Sequence, residues 1–249
     1  MPRALWTHLV KDLRIEWRSL DAIISMLFFS GLVVVLFSIA FDPRGSFSQQ
    51  IAGGVLCVAT MFASVSALNQ AWAREIRHQV MDAQRMVPSP GAELLLAKVI
   101  VNFFFVTIVQ IALAPFFVVF YNLRIVGQAW LLLLVLPLGT WALVSNGVFF
   151  AALSMSSRNR ELLLSLILFP IFIPALLAMV QATTSIFTGD SDPTLWIKML
   201  FGYDIIFTTV SLLLFDVVFH AELFKSHSLG RFLPDHCLVS NRQLNRRAS

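Results

Sequence analysis

Long apolar runs constrain this chain more than any other feature of its sequence. A membrane-spanning helix needs about 20 mainly apolar residues, and five runs reach that length: 22–41, 51–73, 99–121, 128–153 and 162–187. A sixth run, 205–219, is shorter and contains Asp216. We expect it to gain Gly202 and Tyr203 at its start and to hold that carboxylate near the membrane surface. The pattern predicts an all-α membrane protein with six transmembrane helices.

Composition and charge agree with a membrane chain. Of its 249 residues, 58% are hydrophobic and 13% are charged, whereas a soluble globular domain has about 25% charged residues. A net charge of +4 could indicate a nucleic-acid-binding protein. In membrane proteins, however, basic residues collect in cytoplasmic loops, so we interpret the charge as topological and expect no nucleic-acid partner. The first twenty residues are charged rather than apolar, so no cleavable signal peptide is expected.

The positions of the basic residues predict the orientation. Of the 18 lysines and arginines, 15 lie in the N-terminal segment, the loops after the second and fourth spans, and the tail. Lys98 is counted in the loop after the second span. The remaining three are Arg44, Arg124 and Lys198. A split of 15 to 3 is a strong positive-inside signal. It places both termini in the cytoplasm and supports an even number of crossings.

Both ends of the chain differ in pattern from the spans. In residues 1–20, leucines and tryptophans recur every three or four positions while Lys11, Arg14 and Arg18 occupy another face. This predicts an amphipathic helix in the membrane interface; the alternative is a surface helix of a soluble domain. Residues 21–220 would form the membrane domain. Residues 221–249 end in a basic, polar stretch without periodicity and are predicted to be a disordered cytoplasmic tail.

Motifs for catalysis are missing from the sequence. No glycine-rich loop ends in Gly-Lys-Ser or Gly-Lys-Thr, so ATP hydrolysis by this chain is not expected. Asp204 and Asp216 are the closest approach to paired intramembrane aspartates, but twelve residues of helix separate them by about 18 Å. We interpret each either as an end residue near the interface or as a polar contact inside the bundle. All five histidines fall on the predicted cytoplasmic side: His8, His78, His220, His227 and His236.

Polar side chains also occur within the spans, and a charged helix is predicted between two of them. Asn146 and Gln110 could form interhelical hydrogen bonds or line a pathway. The longest cytoplasmic loop, 74–98, has apolar residues at helical spacing among charged ones. This pattern predicts a short amphipathic helix parallel to the membrane, ended by Pro88 and Pro90.

Several separated motifs resemble those of the CcmB family, the membrane permease of a cytochrome c maturation transporter often described as a haem exporter. They cover roughly residues 13–219. The motifs are Arg74-Glu75, Pro88-Ser89-Pro90 followed by Ala97-Lys98, Gly139-Thr140, Ser157-Arg158-Asn159-Arg160-Glu161, Pro170 with Pro174, Tyr203-Asp204-Ile205-Ile206-Phe207 and Leu214-Phe215-Asp216.

The resemblance implies a permease in the bacterial inner membrane, present as two copies with two ATPase subunits of the CcmA type. It also implies a haem-handling membrane subunit of the CcmC type and haem delivery to a periplasmic chaperone, with no cofactor bound by this chain itself. The loop after the second span would dock on the ATPase through five charged residues: Arg74, Glu75, Arg77, Asp82 and Arg85. Family members often have an acidic residue and a glycine where this chain has Arg77-His78-Gln79. A scaffold that holds the haem-handling subunit and transports nothing is the alternative.

Overall fold

The computed structural model describes most of the chain. The described residues are 6, 9–14, 17, 20–41, 46–71, 91–121, 129–154, 160–189 and 191–230. Six long helices account for nearly all of them: α1 Asp21–Ala40, α2 Ser46–Ala71, α3 Gly91–Tyr121, α4 Ala129–Leu153, α5 Arg160–Thr188 and α6 Thr194–Gly230. All six are long and apolar enough to cross a membrane. The predicted all-α architecture with six spans is therefore confirmed.

The sixth span begins earlier than the sequence pattern predicts. Its apolar part covers Thr194–Val217, whereas the sequence pattern predicts a start at Gly202, so the predicted start is about two turns too late. The main-chain N–H of Thr194 donates to Asp192 Oδ1 over 3.0 Å, which is how an N-cap carboxylate satisfies a free amide in the first turn. Donation from the Thr194 hydroxyl and from this N–H lowers the pKa of Asp192. Pro193 follows the cap, at the position where proline favours a helix start.

Two helices form the centre of the bundle. In α2 and α4, 56% of the apolar span is buried, against 22% in α3 and α6. The helices α2, α3 and α4 each contact four others, whereas α1 contacts only α2 and α3 to any extent among the described elements. The outer faces present large exposed apolar side chains, as expected where a helix meets lipid. Polar groups needed for function must therefore be sought between the helices.

Close packing in the centre depends on glycine. A Cβ atom on Gly53 of α2 would lie 2.8 Å from the main-chain nitrogen of Thr184 in α5. A Cβ atom on Gly147 of α4 would overlap a methyl group of Leu68 in α2. Small residues let transmembrane helices approach closely, and close approach is a main source of their association. The two glycines thus fix α2 against α5 and against α4.

The ends of the chain extend the bundle. Residues 9–14 are helical, and Leu9 and Leu13 pack against the core while Trp6 and Trp17 are exposed. A helical segment with one packed face fits the predicted amphipathic helix; its position in the interface stays a prediction. At the other end, α6 continues to Gly230, ten residues past the predicted end of the membrane domain. Residues 231–249, the rest of the predicted tail, lie outside the described residues.

Candidate functional site

The five predicted ATPase contacts belong to a segment outside the described residues. Arg74, Glu75, Arg77, Asp82 and Arg85 all fall within 72–90. The structure does describe the two residues that flank this segment: Ala71 is the last residue of α2, and Gly91 is the first residue of α3. The contacts of the adjoining helix ends show which elements would move if the segment were displaced.

A buried lysine of α3 joins the end of α2 to the N-terminal helical segment. Lys98 is only 5% exposed, and its Nζ donates to the main-chain oxygen of Ala71 over 3.0 Å. The same ammonium group lies 3.4 Å from Asp12 Oδ2. The last carbonyls of a helix have no partner within it and carry partial negative charge, so a lysine satisfies them well. Lys98 therefore connects α2, α3 and the N-terminal segment at one point, called here the Lys98 junction.

The sequence did not predict the Lys98 junction. Lys98 is assigned to the loop for the count of basic residues, and the structure places it two turns inside α3. A lysine next to a span usually extends its ammonium group towards water, whereas that of Lys98 is buried in the structure. Nothing in the sequence marks Asp12 as a partner of Lys98, because an acidic residue on an amphipathic segment is ordinarily solvated.

A second polar contact lies deep in the bundle and joins three helices. Gln110 of α3 donates from Nε2 to Thr60 Oγ1 of α2 over 3.1 Å and to Thr140 Oγ1 of α4 over 2.8 Å. Each threonine hydroxyl donates in turn to a carbonyl of its own helix, those of Leu56 and Leu136. Both oxygens therefore act as acceptors towards the amide. Of the two roles predicted for Gln110, this geometry is that of an interhelical hydrogen bond.

A third contact joins α4, α5 and α6. Asn146 Nδ2 donates to the Tyr203 hydroxyl oxygen over 3.2 Å and to the Ala142 carbonyl over 2.9 Å. The Tyr203 hydroxyl donates to the main-chain oxygen of Ile171 over 2.8 Å. Asn146 thus lies where a contact inside the bundle would be made, and Tyr203 is the partner that the sequence did not reveal.

Asp204 follows Tyr203 on α6 and borders a groove. Its side chain is 6% exposed, and no described residue forms a hydrogen bond with either carboxylate oxygen. The groove measures about 760 Å³ and lies between α3, α4 and α6. Among the residues that line it are Phe103, Trp130, Leu133, Trp141, Ile205 and Thr208. One wall is held by a hydrogen bond of 3.1 Å from Trp141 Nε1 to Thr208 Oγ1. Asp204 is thus a buried acid on the wall of an apolar groove.

Asp216 is not part of this groove. It lies twelve residues further along α6, about 18 Å from Asp204 at 1.5 Å per residue, and it does not line the groove. The structure therefore does not bring the two aspartates together. Within the described part of the chain, no group of three or more histidines, cysteines and acidic residues is arranged to bind a metal ion.

Six apolar helices joined by buried polar side chains define a multi-pass α-helical membrane protein, which in bacteria belongs to the inner membrane. The profile of the family described as CcmB protein matches residues 3–221. The chain is 29% identical to heme exporter protein B of Pseudomonas aeruginosa over 196 residues, which cover 77% of this chain and 86% of that relative.

Two further relatives have the same description. Heme exporter protein B of Paracoccus denitrificans is 30% identical over 175 residues, which cover 70% of this chain and 79% of the relative. That of Haemophilus influenzae is 28% identical over 167 residues, with 67% and 75% covered. The chain belongs to the CcmB protein family, as its motifs predicted.

Proposed function

We propose that this chain is the membrane permease subunit of an ABC transporter for cytochrome c biogenesis, and that it couples ATP hydrolysis by a separate subunit to haem export or to release of haem to a chaperone. Membership of the CcmB family and the description of its relatives as heme exporter protein B support the haem substrate. The lack of a phosphate-binding motif in the sequence supports an ATPase on another polypeptide.

The Lys98 junction is the observation that carries the coupling mechanism. Segment 72–90 follows Ala71, which Lys98 contacts, and is followed by Gly91, which begins the helix that contains Lys98, about 10 Å before it. A displacement of that segment would move the end of α2, the start of α3 and the N-terminal segment together, because Lys98 is bonded to the first and third and belongs to the second. ATP-driven movement of the partner would reach the spans by this route.

The partners follow from the same scheme. We assign contact with a CcmA-type ATPase to Arg74, Glu75, Arg77, Asp82 and Arg85. Two copies of this chain would act in one complex, together with a haem-handling membrane subunit of the CcmC type. Haem is the transported or partner-bound ligand in this proposal, and this chain supplies movement rather than covalent chemistry.

The alternative function is a scaffold that holds the haem-handling subunit and transports nothing. The groove beside Asp204 favours it, since an apolar surface ending in a buried acid is suited to an adjacent membrane helix. The two functions differ in their need for energy. Haem attachment to cytochrome c that continues with an ATPase unable to hydrolyse ATP would support the scaffold and contradict the coupled permease.

Docking is tested by reversing charge on the predicted contact segment. The double variant Arg74→Glu with Arg77→Glu is expressed with the complete complex, and the amount of ATPase that co-purifies in detergent is measured. We expect at least a tenfold loss, because two contacts become repulsive if the ATPase surface is acidic there. Arg242→Glu with Arg246→Glu makes the same change of charge in the tail and should leave co-purification intact. Unchanged co-purification of the first variant would contradict the docking role.

A further inference from the structure

The position of Asp204 in the membrane limits what can reach it. The residue lies ten positions after the start of the sixth span and thirteen before its end at Val217. At 1.5 Å per residue these distances are about 15 and 20 Å, so the carboxyl group lies near the middle of the bilayer. Lipid headgroups do not reach this depth.

An acid at this depth needs a hydrogen-bond donor. Ionisable side chains inside a membrane are costly and are almost always paired. No described residue donates to either oxygen of Asp204, and the nearest indole on the groove wall, Trp141, already donates to Thr208. Each oxygen exposes less than 1 Å², so a donor from a molecule in the groove would reach the carboxyl group when the side chains that cover it move aside.

The groove wall is long enough to contact about three turns of a helix. Trp130 stands at the beginning of α4, on the outer side, and Trp141 lies eleven residues deeper, about 16 Å. Between them, Leu133 is 83% exposed, and on the opposite wall Phe201 and Ile205 are also exposed. The wall is thus apolar from the outer surface to Asp204, where its one buried acid is found.

Other occupants satisfy fewer of these features. A lipid acyl chain would cover the apolar wall but has no donor for Asp204. A haem would need an iron ligand, and the residues lining the groove include no histidine, methionine, cysteine or tyrosine. A second copy of the chain, related by twofold symmetry through this groove, would place one concave surface on another and one Asp204 against its equivalent.

We propose that the groove between α3, α4 and α6 receives a transmembrane helix of a different membrane subunit, which donates a side-chain N–H group to Asp204. The donor would be an asparagine, glutamine, lysine or arginine near the middle of that helix, on an otherwise apolar face. The proposal rests on the proposed function for the existence of a complex. It adds the surface by which a second membrane subunit is held.

Photo-crosslinking tests the occupant directly. p-Benzoylphenylalanine is placed at Leu133 on the groove wall, and at Val119 as a control that is 77% exposed near the outer end of α3 and does not line the groove. Both variants are expressed with the complete complex and irradiated in native membranes, and the adducts are identified by mass spectrometry. We expect position 133 to capture a membrane subunit other than this chain, through a helix carrying an N–H side chain at mid-membrane depth. Position 119 should capture it at least tenfold less.

Variants of Asp204 test the hydrogen bond. Asp204→Leu should lower the adduct at position 133 about three- to tenfold, the range for one interhelical hydrogen bond in a membrane. Asp204→Asn keeps an acceptor and most of the packing, so it should lower the adduct less. An adduct only with lipid or with a second copy of this chain would overturn the proposal, as would a full yield from Asp204→Leu.

The result can be separated from that for the proposed function. ATPase co-purification is measured in the same preparations. If the adduct is lost while the ATPase still co-purifies, the groove proposal alone is contradicted. A persistent adduct together with an unaffected Arg74→Glu, Arg77→Glu variant would instead contradict ATPase docking and leave the groove proposal standing.

Discussion

Tyr203 of α6 donates its hydroxyl hydrogen to the main-chain oxygen of Ile171 in α5, 2.8 Å away, and the same hydroxyl oxygen accepts from Asn146 of α4. Ile171 lies directly after Pro170 and three residues before Pro174, in the part of α5 where proline disturbs the regular hydrogen bonds. One phenol group therefore joins the last three helices next to the two prolines of α5.

Removal of this hydroxyl should weaken the contact between the three helices. Tyr203→Phe removes the donor to Ile171 and an acceptor for Asn146, so we expect the free energy of unfolding in detergent to fall by about 1 kcal/mol. Thr209→Val is the matched control, because the Thr209 hydroxyl is bonded within its own helix to Ile205. A double-mutant cycle with Asn146→Ala should show that the two effects are not additive. Additive effects would contradict the shared contact.

Gln110→Leu should loosen the contact between α2, α3 and α4. The change keeps the approximate volume and removes both interhelical hydrogen bonds of the amide. Because Thr60 and Thr140 still donate to their own helices, neither hydroxyl hydrogen is left without a partner, and a modest loss of about 1 kcal/mol is expected. Asn102→Leu serves as the control, since the Asn102 amide bonds to the Lys98 carbonyl of the same helix. Equal losses in the two variants would argue against an interhelical role for Gln110.

The two adjacent glycines of α2 provide a direct test of close packing. Gly53→Ala would bring a methyl group to 2.8 Å from the main-chain nitrogen of Thr184, whereas a Cβ on Gly54 would meet no atom within 4 Å. We expect Gly53→Ala to destabilise the protein by about 1–3 kcal/mol. Gly54→Ala should be neutral or stabilise by up to about 1 kcal/mol, as alanine favours the helix. The measurement is thermal unfolding in detergent, and a stable Gly53→Ala protein would show that α2 and α5 are not in close contact.

Lys98→Met should separate ATP hydrolysis from haem delivery. The variant keeps the apolar stem and removes the bonds to Ala71 and Asp12. Asp12 retains Lys11 at 3.5 Å, so we expect a loss of stability of only about 2 kcal/mol. In the complete complex, ATPase activity should continue while haem attachment to cytochrome c falls severalfold. Lys98→Arg keeps the charge and should recover part of that attachment. Normal attachment in Lys98→Met would contradict the coupling role of the junction.

The helical architecture was predictable because each span must satisfy its main-chain hydrogen bonds internally, and this requirement appears in the sequence as an apolar run. The start of α6 was missed for a local reason. Lys198 interrupts the apolar pattern, whereas the signal that begins the helix is the Asp192-Pro193 cap. A search for capping residues before the last run would have found it.

The polar contacts were only partly predictable. The sequence identifies Gln110 and Asn146 as polar residues in apolar helices, but their partners Thr60 and Tyr203 lie 50 and 57 residues away. Which residues meet depends on helix rotation and neighbour choice, and these depend on packing across the whole bundle. The same reason explains why the buried position of Lys98 could not be read from its place beside a loop.

The glycine contacts of α2 have a consequence for where the protein can change shape. With Gly53 against the α5 backbone and Gly147 against Leu68, neither α4 nor α5 can turn about its axis relative to α2 without steric overlap. These three helices should therefore behave as a single rigid body. A displacement received by α2 at the Lys98 junction would then move α2, α4 and α5 as one unit, and any alternation between two conformations is expected as tilting of α1, α3 and α6 relative to that unit.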